Sequence, residues 1–331
     1  MPSPEMRQAM VTAPLGDDVF GDDPTTNRLM EVAAARMGKE AATFVPSGTM
    51  GNLIGVAVNA RSGDELIADA ESHVFYYETA GAAAVCGVQI RPVSTEAGVM
   101  SPQQIESVVR PLDDPHQPIT AAITFENTHN LHGGIVWPLE ALRAASDEAH
   151  LHGLRVHLDG ARIFNAAVAL GVDAADIAAC ADTVTFCLSK GLACPVGSIF
   201  CGSRESVEDA KRWRKRLGGG MRQVGVLAAA GLIALDQMVD RLAEDHANAR
   251  TLAEGLAELP GVRCDLSRVQ TNLVYFDLER MAAPAFTDEC AKRGLLGDWS
   301  GPKRMRFVTH YGIGAEDVQS ALKMCEEVLT A

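Results

Sequence analysis

Two short β-type segments of this sequence end in side chains that can do chemistry. Residues 155–159 (RVHLD) end at Asp159, and residues 183–190 (TVTFCLSK) end at Lys190. Ligands of α/β proteins lie at the carboxyl ends of parallel strands, so we expect these two side chains to be neighbours. A lysine amine forms a Schiff base with an aldehyde, and a carboxylate keeps a pyridine nitrogen protonated. The pair therefore suits a site for pyridoxal 5'-phosphate (PLP), although a strand-edge ion pair of little energetic value fits these two residues equally well.

A third segment, residues 45–52 (VPSGTMGN), favours the PLP interpretation. Ser47, Gly48 and Thr49 come shortly before an apolar helical stretch. The first backbone amides of a helix have no partner within it, and together with a hydroxyl group they bind phosphate. Many capped helices begin in a similar way, so the segment is weak evidence by itself. Combined with Asp159 and Lys190, it supplies the phosphate anchor that a PLP site needs.

These segments belong to an alternation of short apolar runs and helical patterns. Residues 119–125 are typical of a buried strand, a helix is expected over residues 138–149, and Gly153 is placed to end it. The strands at 155–159 and 183–188 follow. Strands and helices in this order imply parallel pairing with right-handed crossovers, so the sequence predicts an α/β fold.

The chain is expected to form two domains. Residues 223–256 have a helical pattern, and the strands and helices expected beyond residue 261 indicate a small α+β domain. We place a large domain at residues 1–240, with an N-terminal arm over about the first 12 residues, and a small domain at 241–331.

Composition and charge exclude several classes of function. The 331 residues are 47% hydrophobic, and 43 acidic against 29 basic residues give a net charge of -14, which repels nucleic acid and anionic membranes. The longest uncharged stretch, residues 41–60, is too polar to span a bilayer, and no secretory signal is visible. The eight cysteines form no C-x-x-C pair, as is typical of reduced cytosolic thiols. We therefore expect a cytoplasmic protein that binds neither nucleic acid nor membranes.

Other common motifs are missing from the sequence. It contains no G-x-x-x-x-G-K-[ST] loop, no G-x-G-x-x-G after a strand, no G-x-S-x-G and no H-E-x-x-H. His150 and His152 are two residues apart and do not share a helix face, so we expect no metal site at these residues and His157. The basic run at residues 211–216 (KRWRKR) is interpreted as a solvated helix face, because the chain as a whole is acidic.

Six segments give the sequence a resemblance to a known family. They are residues 16–24 (GDDVFGDDP), 46–49 (PSGT), 126–130 (ENTHN), 157–165 (HLDGARIFN), 187–191 (CLSKG) and 218–222 (GGGMR). In these segments and in their order, the chain resembles the low-specificity L-threonine aldolases, which are PLP-dependent enzymes of fold type I. The resemblance implies a large domain with a mostly parallel mixed sheet flanked by helices and a smaller C-terminal α+β domain. It also implies cleavage of L-threonine or L-allo-threonine to glycine and acetaldehyde.

The resemblance implies roles for individual residues. The catalytic set is His73, His129, Asp159 and Lys190. The cofactor-binding set is Ser47, Gly48, Thr49, His73, Asp159, Arg162, Lys190 and Arg222. The substrate-binding set is Tyr77, His129, Arg162, Lys215 and Arg306. In these sets His73 stacks on the cofactor ring, and Arg162 and Arg306 clamp the substrate carboxylate, a task that suits a guanidinium fork.

Structural roles stay open for several of these residues. His73 and His129 could be hydrogen-bonded structural histidines, and Tyr77 a structural aromatic residue. Arg306 could be an arginine on the surface of a strand, and Arg162 could cap the following helix. Either histidine is a candidate for the base that removes the β-hydroxyl proton of the substrate.

The resemblance also implies that subunits share active sites. Arg222 is expected to reach the cofactor phosphate of a neighbouring subunit, with Lys215 close to the site, in a homo-oligomer that is usually a dimer of dimers. Family members carry an Arg-Ser-Asp-Thr segment near their start, and its serine contacts the substrate carboxylate. This sequence starts just after that segment, so either its start was assigned too late or this form lacks one carboxylate contact, and Ser3 is not the equivalent serine. A form without the segment is expected to bind amino acids more weakly.

Three rival functions remain at this point. A β-eliminating lyase or an aminotransferase acting on small amino acids would use the same fold and cofactor. A non-catalytic oligomer would bind PLP without turnover. A metal-dependent aldolase would need a cluster of ligands that the sequence does not reveal.

Overall fold

The computed structural model describes residues 1–330 of the chain. The helices are α1 (Pro4–Thr12), α2 (Pro24–Met37), α3 (Gly48–Asn59), α4 (His73–Tyr76), α5 (Pro102–Val108), α6 (Leu139–Leu151), α7 (Ile163–Leu170), α8 (Ala174–Ala178), α9 (Arg204–Arg216), α10 (Gly225–Ile233), α11 (Leu242–Ala257), α12 (Ala283–Ala291) and α13 (Ala315–Thr330). The strands are β1 (Ala41–Val45), β2 (Glu65–Asp69), β3 (Gln89–Val93), β4 (Thr120–Glu126), β5 (Arg155–Asp159), β6 (Thr183–Cys187), β7 (Ser198–Gly202), β8 (Val262–Arg263), β9 (Leu273–Leu278), β10 (Asp298–Trp299) and β11 (Arg304–Val308).

The large sheet brings the ends of its strands to one edge. Its order is β1-β7-β6-β5-β4-β2-β3, and only β7 runs against its two neighbours, β1 and β6. The carboxyl ends of the other six strands therefore meet. At that edge Asp159 is paired with Glu126 of β4 and with Thr185 of β6. The α/β class and the mostly parallel mixed sheet predicted from the sequence are confirmed.

The local sequence explains the elements that position the site. Every residue of β6 is buried, and so is every residue of β5 except Arg155, because helices cover both faces of a parallel sheet. Helix α3 is capped by Ser47, whose Oγ accepts a hydrogen bond from the amide of Met50 at 3.2 Å. Gly153, just beyond α6, has a φ of +75°, as expected of a glycine that follows a helix.

A small antiparallel sheet forms near the C-terminus, in the order β10-β11-β9-β8. The ring of Phe276 packs against those of Phe286 and Phe307, with centroids 6.1 and 5.3 Å away. These rings belong to a second hydrophobic cluster, distinct from the one around the large sheet. Along α11, Leu242 belongs to the first cluster and Ala249 to the second. The division into domains at residue 240 stays a prediction.

Two surface segments are packed more tightly than expected. The predicted N-terminal arm forms α1, which packs against α10 and buries Met6 completely. In the basic run on α9, Arg214 is buried and donates hydrogen bonds to Asp18 and to the carbonyl of Phe44, both at 2.9 Å. The prediction of a solvated face is therefore wrong for Arg214.

Among residues 1–330, the structure has no helix that is both long and apolar enough to cross a bilayer.

Candidate active site

The three predicted phosphate-binding residues form the start of helix α3. Ser47 caps the helix, Gly48 and Thr49 are its first residues, and Ser47 and Thr49 are exposed. A Cβ atom at Gly48 would lie 2.8 Å from Sγ of Cys187, so glycine lets α3 begin close against the end of β6. The free amides of this helix therefore lie beside the strand that leads to Lys190, where they can bind an anion.

The carboxylate of Asp159 is buried and held by two hydrogen bonds. Its Oδ2 accepts one from Nδ2 of Asn52 at 2.7 Å, and its Oδ1 accepts one from the amide of Ala161 at 3.0 Å. Nδ2 of Asn52 also donates to Oε1 of the buried Glu78 at 2.8 Å. The sequence analysis assigned no role to Asn52 or Glu78. A signal for Asn52 was its spacing of four residues from Gly48, which puts both on one face of α3.

His73 begins α4 and is tied to two carboxylates. Its Nδ1 lies 2.8 Å from Oε1 of Glu78, and its backbone amide donates to Oε2 of Glu126 at 2.7 Å. The hydrogen bond to Glu78 raises the pKa of His73, burial opposes this, and the charge of Asp159 adds to the rise. Burial raises the pKa of Glu78. Side-chain atoms of His73, Glu78 and Asp159 lie within 4.8 Å of one another, so the imidazole is beside the carboxylate predicted to meet the pyridine nitrogen.

Arg162 and Arg306 converge on one neutral acceptor. Nη1 of Arg162 lies 3.4 Å from Oδ1 of Asn130, and Nη1 of Arg306 lies 3.3 Å from the same oxygen. Burial lowers the pKa of Arg162, and the nearby charge of Arg306 lowers it further. Among the described residues, Nε of Arg306 is buried without a hydrogen-bond partner. Two guanidinium groups around one amide oxygen can bind a carboxylate, which offers two charged acceptors in place of one neutral one.

Lys190 is half-buried and lines a cavity of about 250 Å³ together with Arg162. This cavity places the predicted covalent residue next to one arm of the arginine pair.

Tyr77 lies close to His73 and to Arg306. Its ring centroid is 5.6 Å from that of His73, and its hydroxyl is near enough to feel the charge of Arg306. Burial raises the pKa of Tyr77, and Arg306 opposes that rise.

His129 lies inside the protein, in a cluster that the sequence analysis missed. Its ring is fully buried, and its Nε2 lies 3.1 Å from Oδ1 of Asp69. Burial lowers the pKa of His129, but the charges of Glu126 and Asp69 outweigh this and raise it above its ordinary value. Nε2 of His132 lies 3.5 Å from the same oxygen of Asp69.

The other three histidines considered in the sequence analysis each have a different partner. The pairs are His150 with Asp182, His152 with Glu148, and His157 with Thr183.

Comparison with known proteins shows the family to which this chain belongs. The family model for β-eliminating lyases matches residues 1–279. The chain is 44% identical over 333 residues to probable low-specificity L-threonine aldolase 2 of Arabidopsis thaliana, which covers 99% of this chain and 94% of that protein. It is 42% identical over 318 residues to the low specificity L-threonine aldolase of Escherichia coli K12, with 96% and 93% covered. The chain belongs to the family of low-specificity L-threonine aldolases. The resemblance found in the sequence is confirmed.

Solved structures share the fold of this member of the L-threonine aldolase family. A threonine aldolase of Leishmania major matches with a TM-score of 0.85 and 20% identity, over 100% of this chain and 97% of that one. A serine palmitoyltransferase of Sphingomonas wittichii matches with a TM-score of 0.78 and 19% identity, over 98% and 83%. These likenesses confirm the expected fold type I.

Two residues that the L-threonine aldolase resemblance assigns to the site lie elsewhere in the single chain. Arg222 is exposed, and its Nη1 donates to Oδ2 of Asp17 at 2.9 Å. Lys215, also exposed, lines a cleft with Asp18. Within residues 1–330, neither is among the residues that line the Lys190 cavity. Their contact with the site of a neighbouring subunit stays a prediction.

Proposed function

We propose that this protein is a PLP-dependent carbon–carbon lyase, an aldehyde-lyase that cleaves L-threonine and L-allo-threonine to glycine and acetaldehyde. The observation that carries the proposal is the convergence of Arg162 and Arg306 on Asn130, beside the cavity of Lys190. A carboxylate bound by the two arginines places an amino acid next to the covalent residue. The high identity to low-specificity L-threonine aldolases over nearly the whole chain supports this substrate class.

The residues of the site fit PLP. The amides at the start of α3, with Ser47 and Thr49, are suited to the phosphate, and Lys190 to the aldehyde. Asp159, fixed by Asn52, is suited to the protonated ring nitrogen. Oδ1 of Asn52 is buried without a partner among the described residues, as expected of a polar site built around a further group. When bound, PLP supplies a ring that accepts the electron pair of the breaking Cα–Cβ bond.

The two arginines orient the substrate. When two guanidinium groups hold the carboxylate, the amino acid can no longer rotate freely within the site. With PLP bound, the bond at Cα that these contacts present to the cofactor would be the one cleaved. We propose that Arg162 and Arg306 present the Cα–Cβ bond in this way.

We assign the base to His73. Its Nδ1 lies 2.8 Å from Oε1 of Glu78. In the tautomer with the proton on Nδ1, His73 donates to Glu78, and the lone pair of Nε2 is left to take the β-hydroxyl proton. The side chain of His73 is 28% exposed, whereas the side chain of His129 is fully buried and its Nε2 is bound to Asp69. Tyr77, next to His73, is proposed to contact the β-substituent of the substrate.

A product assay tests the proposed reaction. Purified protein incubated with PLP and L-threonine is expected to release equal amounts of acetaldehyde and glycine, and Lys190→Ala is expected to release neither. Release of 2-oxobutanoate and ammonia from L-threonine, or transfer of the amino group, would instead support one of the rival PLP enzymes. Bound PLP without any turnover would support the non-catalytic oligomer.

We also propose a homo-oligomer, a dimer of dimers, in which Arg222 and Lys215 complete the site of a neighbouring subunit. Their exposure in the single chain supports this. Lys190→Ala and Arg222→Ala are each expected to be inactive as pure proteins. Mixed oligomers of the two contain some sites without either substitution, so they are expected to regain part of the activity, whereas sites built within one chain would not. The proposed place of the enzyme is the cytoplasm, in threonine catabolism and glycine biosynthesis.

A further inference from the structure

A cluster of metal-ligating side chains lies outside the residues assigned to PLP. Asp69 ends strand β2, and His129 and His132 belong to the loop that follows β4. All three residues are buried. Nε2 of His129 and Nε2 of His132 lie 3.1 and 3.5 Å from the same oxygen, Oδ1 of Asp69. One ligand atom from each residue lies within 4.8 Å of those of the other two. Oε2 of Glu71 lies 3.6 Å from Nε2 of His132.

These separations match a tetrahedral metal site. Zinc binds imidazole nitrogen and carboxylate oxygen at about 2.0–2.2 Å, which makes the edge between two ligands about 3.3–3.5 Å. The two distances to Asp69 are close to that edge length. Two histidines and one carboxylate form a common ligand set for divalent transition metals.

Hydrogen bonding alone leaves part of the cluster unexplained. Oδ1 of Asp69 already accepts the amide of Glu71 at 2.8 Å, and Oδ2 accepts the hydroxyl of Thr95 at 2.7 Å. Among the described residues, Nε2 of His132 has no hydrogen-bond partner, although the residue is only 7% exposed. A buried nitrogen that lies 3.5 Å from Asp69 and 3.6 Å from Glu71 without a hydrogen bond is costly unless a further group is bound there.

We propose that Asp69, His129 and His132 bind one divalent transition-metal ion such as zinc. The ion joins the segment after β2, which leads to His73, to the loop after β4. Between the two histidine ligands lies Asn130, the shared acceptor of the substrate arginines. The ion therefore positions the carboxylate site without touching the reacting atoms. The proposal does not depend on the identity of the substrate.

Metal content of the full-length holoenzyme tests the proposal. PLP-loaded protein is dialysed against a chelator, titrated with Zn²⁺ alone and analysed for zinc. The wild type is expected to bind one zinc per chain. Asp69→Asn and His132→Gln are each expected to weaken zinc binding at least about tenfold, as losses at metal sites commonly do. The matched control is His152→Gln, which changes a histidine bonded to Glu148 at 2.9 Å outside the cluster and is expected to bind zinc as the wild type does.

X-ray absorption at the zinc edge distinguishes the cluster from other zinc sites. Ligands from this cluster predict only nitrogen and oxygen neighbours at about 2.0–2.2 Å, whereas binding to any of the cysteines adds sulfur at about 2.3 Å. Because this measurement uses the wild type, a sulfur shell counts against the proposal even if the variants fold poorly. Failure of the wild type to bind zinc, a sulfur shell, or equal zinc binding by Asp69→Asn and His132→Gln would overturn the proposal.

Discussion

Replacing Arg306 tests the substrate site most selectively. Its side chain is 25% exposed, and it donates to Asn130 at 3.3 Å and to Asp298 at 2.9 Å. A hydrogen bond to a charged group contributes about 1.5–3 kcal/mol, and partial exposure favours the lower figure. Arg306→Ala removes two such bonds to the substrate carboxylate, about 3 kcal/mol, so kcat/KM is expected to fall roughly 100-fold. Arg306→Lys keeps the charge but loses the fork, and a fall of about tenfold is expected.

Steady-state kinetics with both threonine diastereomers measures this effect. The carboxylate is common to L-threonine, L-allo-threonine and glycine, so the two KM values and the inhibition constant of glycine are expected to rise by the same factor. The matched control is Arg263→Ala, which removes the partner of Asp277, 3.3 Å away in the same small sheet, and is expected to leave KM unchanged. A less than threefold rise in KM for Arg306→Ala, or a rise confined to one diastereomer, would refute the carboxylate role.

Three further predictions concern the base, the cofactor and the packing of α3. Glu78→Gln removes the group that raises the pKa of His73, so the acid limb of the kcat/KM profile is expected to move to lower pH, because His73 has to be neutral to accept a proton. Thr49→Val keeps the helix amides but removes one hydroxyl, and PLP affinity measured by fluorescence titration is expected to fall about tenfold. Gly51→Ala puts a Cβ atom 2.4 Å from Cγ2 of Thr185, and chemical denaturation is expected to show a loss of about 1–3 kcal/mol.

Each of these predictions has a contrary outcome. An acid limb that stays in place or moves to higher pH in Glu78→Gln would remove His73 as the base. Unchanged PLP affinity in Thr49→Val would place the phosphate elsewhere. Thr185→Ser deletes the clashing methyl group, so it is expected to restore part of the stability lost in Gly51→Ala. A double variant that is no more stable than Gly51→Ala would mean that the contact is relieved in another way.

Secondary-structure elements with strong local signals could be predicted from the sequence. Strands β4, β5 and β6 were predicted because each is an apolar run bounded by helical patterns or turns. The reversed strand β7, which separates β1 from β6, was not predicted, because the order of strands depends on contacts between distant segments. The burial of Arg214 was missed for the same reason, since its partner Asp18 is 196 residues away in the chain.

The same distinction between local signals and contacts of distant segments applies to the residues of the site. Asp159 and Lys190 could be proposed from the sequence because strand ends are the expected place for ligands in α/β proteins. Asn52 was missed because its contact with Asp159 joins residues 107 positions apart. Asp69 was missed as a partner of His129 because the contact requires β2 and β4 to be neighbours, which the sequence pattern does not reveal. The residues proposed from the sequence lie at strand ends or in recognisable motifs. The residues that were not proposed, such as Asn52 and Asp69, form hydrogen bonds with them.

The central claim is that PLP is bound covalently to Lys190. Reduction of the yellow holoenzyme with borohydride fixes the cofactor to the amine that holds it, and mass spectrometry of the peptides identifies that residue. The account predicts a phosphopyridoxyl group on the peptide that contains Lys190 and no visible absorbance in Lys190→Ala. A label on another lysine, or a colourless protein that cleaves L-threonine, would contradict it.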